Sequence, residues 1–215
     1  MNWRRLLPRR ETAARVTPDL RRRIRASFDE ASRDEEHFPS TIDARIYHVK
    51  AILEHLGDLS GKRALDVGCG KGRFARVLLE RHPSARVCGI DISQEMLAYV
   101  PPGVHGVAGS MTELPFADAS FDAAYATESL EHAVEIERAV SEMCRVIKPH
   151  GRLAIIDKNA EQFGRLKTPE WEQWFRREEL EKLLRRHCRD VSSRYISYWE
   201  DVEPDGLFIA WRAVK

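Results

Sequence analysis

The chain has 215 residues, with 35 basic side chains against 34 acidic ones and a formal net charge of +1. That length suits a substantial buried core, and the even charge supplies no global field of the kind that draws nucleic acid. Four scattered cysteines (Cys69, Cys88, Cys144 and Cys188) form no Cys-x-x-Cys pair, which speaks against a zinc site or a disulfide framework and for a reducing compartment.

Residues 1–16 show no periodicity and are expected to be loose. Nine arginines fall between Arg4 and Arg25, against only Glu11 and Asp19. On a helix face they are simply solvated; as an arm they would meet a membrane surface, an acidic carrier or a phosphorylated substrate. The N-terminus has no apolar core of a secretory signal, and no run approaches the roughly 18 apolar residues of a membrane span. No stable membrane insertion is expected, and the cytoplasm is the expected location. Thr17-Pro18 reads as the N-cap and first-turn proline of a helix running to about Ser32. A loop from Glu35 to Ser40 leads to a second helix, predicted from Thr41 to Leu56. Ile42, Ile46, Val49, Ile52, Leu53 and Leu56 lie on one face of it, and Gly57 stands after it as its stop. The chain therefore divides into a basic arm and helix at 1–40 and a larger domain at 41–215. Both helices precede the first strand and are expected to cover the mouth of the sheet.

From Arg63 onward strand and helix patterns alternate. Strands are expected at Ala64–Val67, Val87–Ile90, Val104–Ala108, Phe121–Ala126 and Leu153–Asp157. Helices are expected at Gly72–Arg81, Gln94–Tyr99, Ile136–Val146 and Arg177–His187. Short apolar strands alternating with helices mean a parallel sheet covered on both faces. Ser192–Trp199 and Gly206–Ala213 then flank a polar turn, a hairpin signal that ends the sheet with an antiparallel strand. The fold class is α/β: a Rossmann-like, seven-stranded, mostly parallel sheet with helices on both faces and an N-terminal helical cover.

The stretch from Leu65 to Phe74 carries the chemistry. An apolar strand enters a tight turn at Gly68, Gly70 and Gly72, which opens directly onto a helix, and Asp91 stands at the tip of the next strand. Such glycines let backbone approach a ligand with no Cβ in the way, and a carboxylate at a strand tip can accept from both hydroxyls of a ribose. The loop is G-x-G-x-G and not the G-x-G-x-x-G of dinucleotide oxidoreductases, and the chain has no second nucleotide-binding half.

Leu65-Asp66-Val67-Gly68-Cys69-Gly70-Lys71-Gly72 resembles motif I of the class I S-adenosylmethionine-dependent methyltransferases. Gly89-Ile90-Asp91-Ile92-Ser93 resembles the motif after it. Glu113 to Asp122, Ser129-Leu130-Glu131-His132 and Arg145 to Gly151 are similar to three later segments of the subgroup that includes quinone-biosynthesis and natural-product enzymes. This resemblance covers roughly residues 45–190. It implies S-adenosylmethionine as cofactor and S-adenosylhomocysteine as product. It also implies that Gly68, Cys69, Gly70 and Gly72 pass beneath the methionine part, while Asp66 organises the loop or reaches the ammonium through water. Asp91 would take the ribose, and Ile92 would pack on adenine or simply in the core. Many relatives have an aspartate after the third-strand glycine, whereas here the sequence is Gly109-Ser110-Met111. A neutral hydroxyl accepts more weakly than a carboxylate, so adenine recognition would lean on backbone groups and Met111. His150 replaces a usual glycine, read as a turn variation.

A sulfonium donor needs little catalysis beyond alignment of the nucleophile about 3 Å from the methyl, and a base is required only for a protonated nucleophile. In this fold the end of the fourth strand faces the transferred methyl, which places Thr127 and Glu128 in the site. His132 and Glu128 are the candidate bases, with Asp157 and His48 behind them, and the absence of any dedicated base stays open. Tyr47 and His48 would either close over the cofactor or pack. Phe163, Trp171, Trp174 and Phe175 would either cover a flat, greasy acceptor or pin a short helix to the core. Asp157-Lys158-Asn159 offers two oxygen ligands without a carboxylate cluster, so no metal is expected.

The leading reading is methyl transfer to oxygen or carbon of a small-molecule acceptor. Thr127-Glu128-Ser129-Leu130 stands where DNA-base methyltransferases have an Asn/Asp-Pro-Pro-aromatic segment, so no DNA partner is expected. RNA or protein methylation and a non-catalytic cofactor-binding scaffold are the alternatives. Exchange of the first helix between subunits would make a homodimer.

Overall fold

The computed structural model describes residues 16–215; the expected loose segment and the first five arginines of the basic arm lie outside the described residues, apart from Val16. Helix α1 (Pro18–Ala31) begins as the sequence predicts, with the Thr17 hydroxyl accepting from the Leu20 amide at 3.1 Å. Helix α2 (Tyr47–Leu56) does not. It starts six residues later than its periodicity predicts, because Asp43 forms a turn of its own. The Asp43 carboxylate accepts from the Arg45 amide at 2.9 Å, and its carbonyl accepts from the Ile46 amide at 3.0 Å. Ile46 is then extended and bridges Trp199, while the Tyr47 amide donates to the Tyr198 carbonyl at 2.9 Å.

The sheet comprises β1 (Arg63–Val67), β2 (Arg86–Asp91), β3 (Val104–Ala108), β4 (Phe121–Thr127), β5 (Ile147–Lys158), β6 (Arg189–Ile196) and β7 (Phe208–Val214), in the order β3-β2-β1-β4-β5-β7-β6. The first five strands pair in parallel, and β7 runs antiparallel between β5 and β6. Strand β5 is longer than predicted. His150 adopts a left-handed φ of +66° just before Gly151, so the chain bends there and rejoins β4 beyond an irregularity in register between Phe121 and Ala123. Helices α3 (Arg73–Arg81), α4 (Gln94–Leu97), α5 (Ile136–Val146) and α6 (Arg177–Leu184) connect these strands. Among the described residues no helix is long and apolar enough to cross a membrane.

Alternation along β1 explains the layers. Leu65 and Val67 enter a core shared with α5 and α6, whereas Ala64 packs on the opposite face with α2 and α3. Asp66 shares that second face, registered between Gly89 of β2 and Tyr125 of β4. Strand order reverses between β1 and β4, and the crevice above their carboxyl ends is where ligands bind in open α/β sheets.

Candidate active site

That crevice is a cleft of about 600 Å³, within the size range of small-molecule sites. One wall is the loop after β1. Gly68 has a φ of +71°, and a Cβ on it would stand 2.5 Å from the Ser129 Cβ, so only glycine lets this loop reach the turn after β4. Ser129 fastens the two, donating to the Val67 carbonyl at 2.7 Å. Gly70 (φ +51°) differs, because a Cβ there would meet nothing within 4 Å. Its amide donates at 2.8 Å to one Asp91 oxygen, and the other Asp91 oxygen accepts from the Ser93 amide at 2.9 Å. Each oxygen keeps a lone pair for a further donor. Burial pushes the Asp91 carboxyl up, against the pull of these amides.

Nine of the ten predicted cofactor contacts line the cleft: Asp66, Gly68, Cys69, Gly70, Asp91, Ile92, Ser110, Met111 and Thr127. Gly72 does not. It stands at the start of α3 with a φ of +76°, and a Cβ there would lie 2.8 Å from the Pro101 ring, so its constraint is packing behind the loop. Asp66 accepts from the Tyr125 hydroxyl at 3.0 Å, yet burial still pushes its carboxyl up to about 7. The Ser110 hydroxyl is shared with Thr112 Oγ1 at 2.8 Å. Thr127 Oγ1 is buried with no hydrogen-bond partner, a polar atom held for a ligand.

Both candidate bases line the cleft. Glu128 has a left-handed φ of +50°, with Oε1 3.3 Å from His48 Nδ1 and 3.5 Å from Arg73 Nη2. Burial would raise its carboxyl, but these partners prevail and hold it at about 2. His132 sits edge-on to Phe28, ring centres 4.9 Å apart. Burial, reinforced by the Lys158 charge, pushes its imidazole down to about 3. At neutral pH the first is therefore an ion-paired anion and the second a neutral ring.

Around His132 gather three charged residues that are not among the candidate bases, of which Glu172 belongs to no motif. Glu131 lies behind it, with Oε1 3.5 Å from His132 Nε2, and burial together with the neighbouring Asp157 pushes the Glu131 carboxyl up. Glu172 comes from the segment after β5, with Oε2 3.8 Å from His132 Nδ1. Lys158 is ion-paired to both glutamates. The only signal for Glu172 is a charged residue set among the tryptophans of the insert, where aromatic density is the stronger pattern.

At two places where covering and packing were both open, the structure keeps the aromatic residues out of the cleft. None of Phe163, Trp171, Trp174 and Phe175 lines the cleft; the insert turns Leu166, Lys167, Thr168, Pro169 and Glu172 toward it instead. Phe175 joins the core against Trp211, and Trp174 is buried, donating from Nε1 to Glu172 at 2.6 Å. Tyr47 and His48 do not line the cleft either. His48 is buried between Tyr198 and Phe208, and the aromatic cover comes from Phe28 and Phe38. Finally, the cysteines are not all isolated, since Cys144 and Cys188 bring their sulfurs within 3.4 Å.

The cover is tied to the cofactor loops. Ser93 Oγ donates to the Asp29 carboxylate at 2.6 Å, and the buried Lys71 ammonium pairs with Glu35 at 2.6 Å.

Residues 65–155 match the family model described as a methyltransferase domain. Over 117 residues the chain is 37% identical to the O-methyltransferase rstn1 of Aspergillus nomiae, spanning 50% of this chain and 52% of that protein. Over 110 residues it is 37% identical to the malonyl-[acyl-carrier protein] O-methyltransferase of Methylococcus capsulatus, spanning 48% of this chain and 40% of that protein. The chain thus covers about half or less of the length of these relatives. Among solved structures, an S-adenosylmethionine-dependent methyltransferase from Thermotoga maritima superposes with a TM-score of 0.70 over 89% of this chain and 99% of that one, at 22% identity. That similarity shows the methyltransferase fold.

Proposed function

We propose that this chain moves a methyl group from S-adenosylmethionine to an oxygen or carbon of a small-molecule acceptor by in-line displacement, leaving S-adenosylhomocysteine. The observation that carries the reading is the Asp91–Gly70 pairing beside an open cradle: a strand-tip carboxylate with free lone pairs next to a glycine with no Cβ obstacle. The residues fit the donor. Asp91 takes the ribose hydroxyls, Ile92 and Met111 flank the adenine, and Asp66 receives the ammonium. The matched domain and the relatives' O-methyl transfer support the same chemistry.

When bound, the donor supplies a methyl on a sulfonium whose charge vanishes on transfer. What the chain adds is alignment in a site shielded from water. Thr127 Oγ1 offers an unused hydrogen bond at the methyl end. His132, neutral and facing the cleft, accepts from an acceptor hydroxyl and orients it. Glu128, tied to His48 and Arg73, is a positioning group whose proton affinity is too low for a base near neutrality. Residues 41–215 form the catalytic domain, and the described residues 16–40 cover it, held by the Asp29–Ser93 and Glu35–Lys71 contacts. The free thiols suit action in the cytoplasm.

Calorimetric titration with S-adenosylhomocysteine tests this reading. One-to-one binding is expected, weakened at least about tenfold in Asp91→Ala, since hydrogen bonds to a charged group contribute about 1.5–3 kcal/mol each. No heat of binding to folded wild-type protein would overturn it. Release of the demethylated product in the presence of acceptors separates an enzyme from a scaffold.

A further inference from the structure

We propose that Glu131, His132 and Glu172 form a divalent-cation site on the acceptor wall of the cleft, suited to a first-row ion with carboxylate and imidazole ligands. Its role in catalysis rests on the function proposed above; the site itself does not.

One donor atom from each of the three side chains lies within 4.8 Å of the others. They come from two distant pieces of chain, the single helical turn Leu130–His132 and the segment between β5 and α6, so the fold and not local sequence assembles them. Lys158 and Trp174 do not use up the ligands. The Lys158 ammonium engages Oε1 of Glu131 and, at 3.2 Å, Oε1 of Glu172, and Trp174 Nε1 donates to that same Glu172 oxygen. Oε2 of Glu131, on a side chain only 1% exposed, is left without any hydrogen-bond partner, and so is Nδ1 of His132. The second Glu172 oxygen faces that nitrogen at 3.8 Å. Buried polar atoms without partners are costly, and the unpartnered His132 Nδ1 has the Glu172 oxygen as its facing ligand atom.

Charge points the same way. Asp157 accepts from the Glu131 amide at 3.1 Å, so three buried carboxyl groups surround a single lysine. A dication would favour the charged forms of these carboxyl groups, which burial otherwise penalises. Lys158 and Trp174 would then be outer-shell groups that hold the glutamates in place, the usual arrangement behind metal ligands. An acceptor hydroxyl bound to the ion would release its proton to solvent, and its oxygen would form the new bond to carbon as the sulfur–methyl bond breaks. With the ion bound, the single lone pair of the neutral His132 ring would serve it, so the cation would take over the orienting role of His132 and provide the acidification that neither Glu128 nor His132 supplies.

The test uses the full chain, free of affinity tag and treated with chelator. Mn2+ is titrated while the spin-resonance signal of the free ion is monitored, and Zn2+ is measured by competition with a coloured chelator. One equivalent of bound ion is expected, with affinity falling at least tenfold in His132→Asn and in Glu172→Gln. Binding of S-adenosylhomocysteine at wild-type strength certifies that each variant is folded. If Glu172→Gln fails to fold, the wild-type stoichiometry and His132→Asn carry the test. No stoichiometric binding of either ion at millimolar concentration, or unchanged affinity in His132→Asn, would overturn the proposal. Ion binding without any S-adenosylhomocysteine binding would sink the proposed function and leave the cation site standing.

Discussion

Placing one methyl group on either of two neighbouring glycines separates scaffold from ligand cradle. Gly68 and Gly70 both have left-handed backbone, with φ of +71° and +51°. Alanine at either position therefore carries a backbone cost of about 1–2 kcal/mol. At Gly68 the added Cβ lies 2.5 Å from Ser129 Cβ and 2.8 Å from Ser129 Oγ. Ser129 must move, which adds an overpacking cost of about 1–3 kcal/mol. The Ser129 bond to the Val67 carbonyl also goes, at about 1 kcal/mol. Gly68→Ala is thus expected to lose roughly 3–6 kcal/mol of folding stability, much of what a domain of this size possesses. Gly70→Ala meets no atom, so its loss stays near 1–2 kcal/mol. Its methyl does, however, enter the space assigned to the donor's methionine part. Urea unfolding gives the two stabilities, and calorimetry with S-adenosylhomocysteine gives the affinity. The expected pattern is a badly destabilised Gly68→Ala and a stable Gly70→Ala that binds at least about tenfold more weakly, the equivalent of about 1.4 kcal/mol. Wild-type affinity in Gly70→Ala would show that the ligand does not pass over this loop.

Asp66, Glu128 and the cysteine pair yield further predictions. The Asp66 carboxyl rises from 3.8 to about 7 on folding. The folded chain therefore holds a proton that the unfolded chain gives up between those values, and this group's contribution falls as pH rises through that window, by about 4 kcal/mol in all. Asp66→Asn should accordingly be more stable than wild type at pH 8 and equal to it near pH 3, while binding S-adenosylhomocysteine more weakly; an identical pH profile of unfolding would refute the burial argument. Glu128 has the opposite sign, falling from 4.5 to about 2. Its contribution of about 3 kcal/mol is complete above pH 4.5 and fades as pH drops toward 2, so Glu128→Gln should be destabilised at pH 7 but not at pH 2, as measured by thermal melts. The Cys144 and Cys188 sulfurs, 3.4 Å apart and 44 positions apart in sequence, should close to a disulfide under diamide. Mass spectrometry would show the loss of two hydrogens, and unfolding a gain of about 4 kcal/mol on the loop-closure account; four titratable thiols after oxidation would contradict it.

How each contact is made decides whether it is legible in the sequence. Strands β1 to β4 and helix α5 lie within a residue or so of where apolar runs and periodicity place them; in β1, β2 and β4 this is because burial on both faces of a parallel sheet leaves continuous apolar words, whereas β3 is a half-exposed edge strand. The loop from Gly68 to Gly72 and the carboxylate of Asp91 are equally visible, since their requirements are local: left-handed backbone, close approach, a strand tip. Residues Thr41–Ile46 mislead because their apolar spacing is helical, while their backbone bonds go to the Asp43 turn and to Tyr198 and Trp199, far along the chain. Periodicity reports that Trp174 and Phe175 are buried, but not that they are buried in the core and away from the cleft. The meeting of Glu172 with His132, and of Cys144 with Cys188, depends on three-dimensional closure that no window of sequence contains.

The same division runs through the cleft itself. At the proposed donor end the groups are backbone amides, glycines and one carboxylate, all within a few residues of β1 and β2. At the acceptor end the surfaces come from α1, the turn after β4, the end of β5 and the insert before α6, joined only by side chains. Substitutions in α1 or the insert can therefore reshape the acceptor wall while leaving the Gly70–Asp91 contact intact. The two ends are still not independent. Lys71 leaves the donor loop to pair with Glu35, and Ser93 caps α4 while donating to Asp29 on α1. Two short, partly buried contacts thus join the loops after β1 and β2 to α1, which carries Phe28 onto His132, and to the segment just after it.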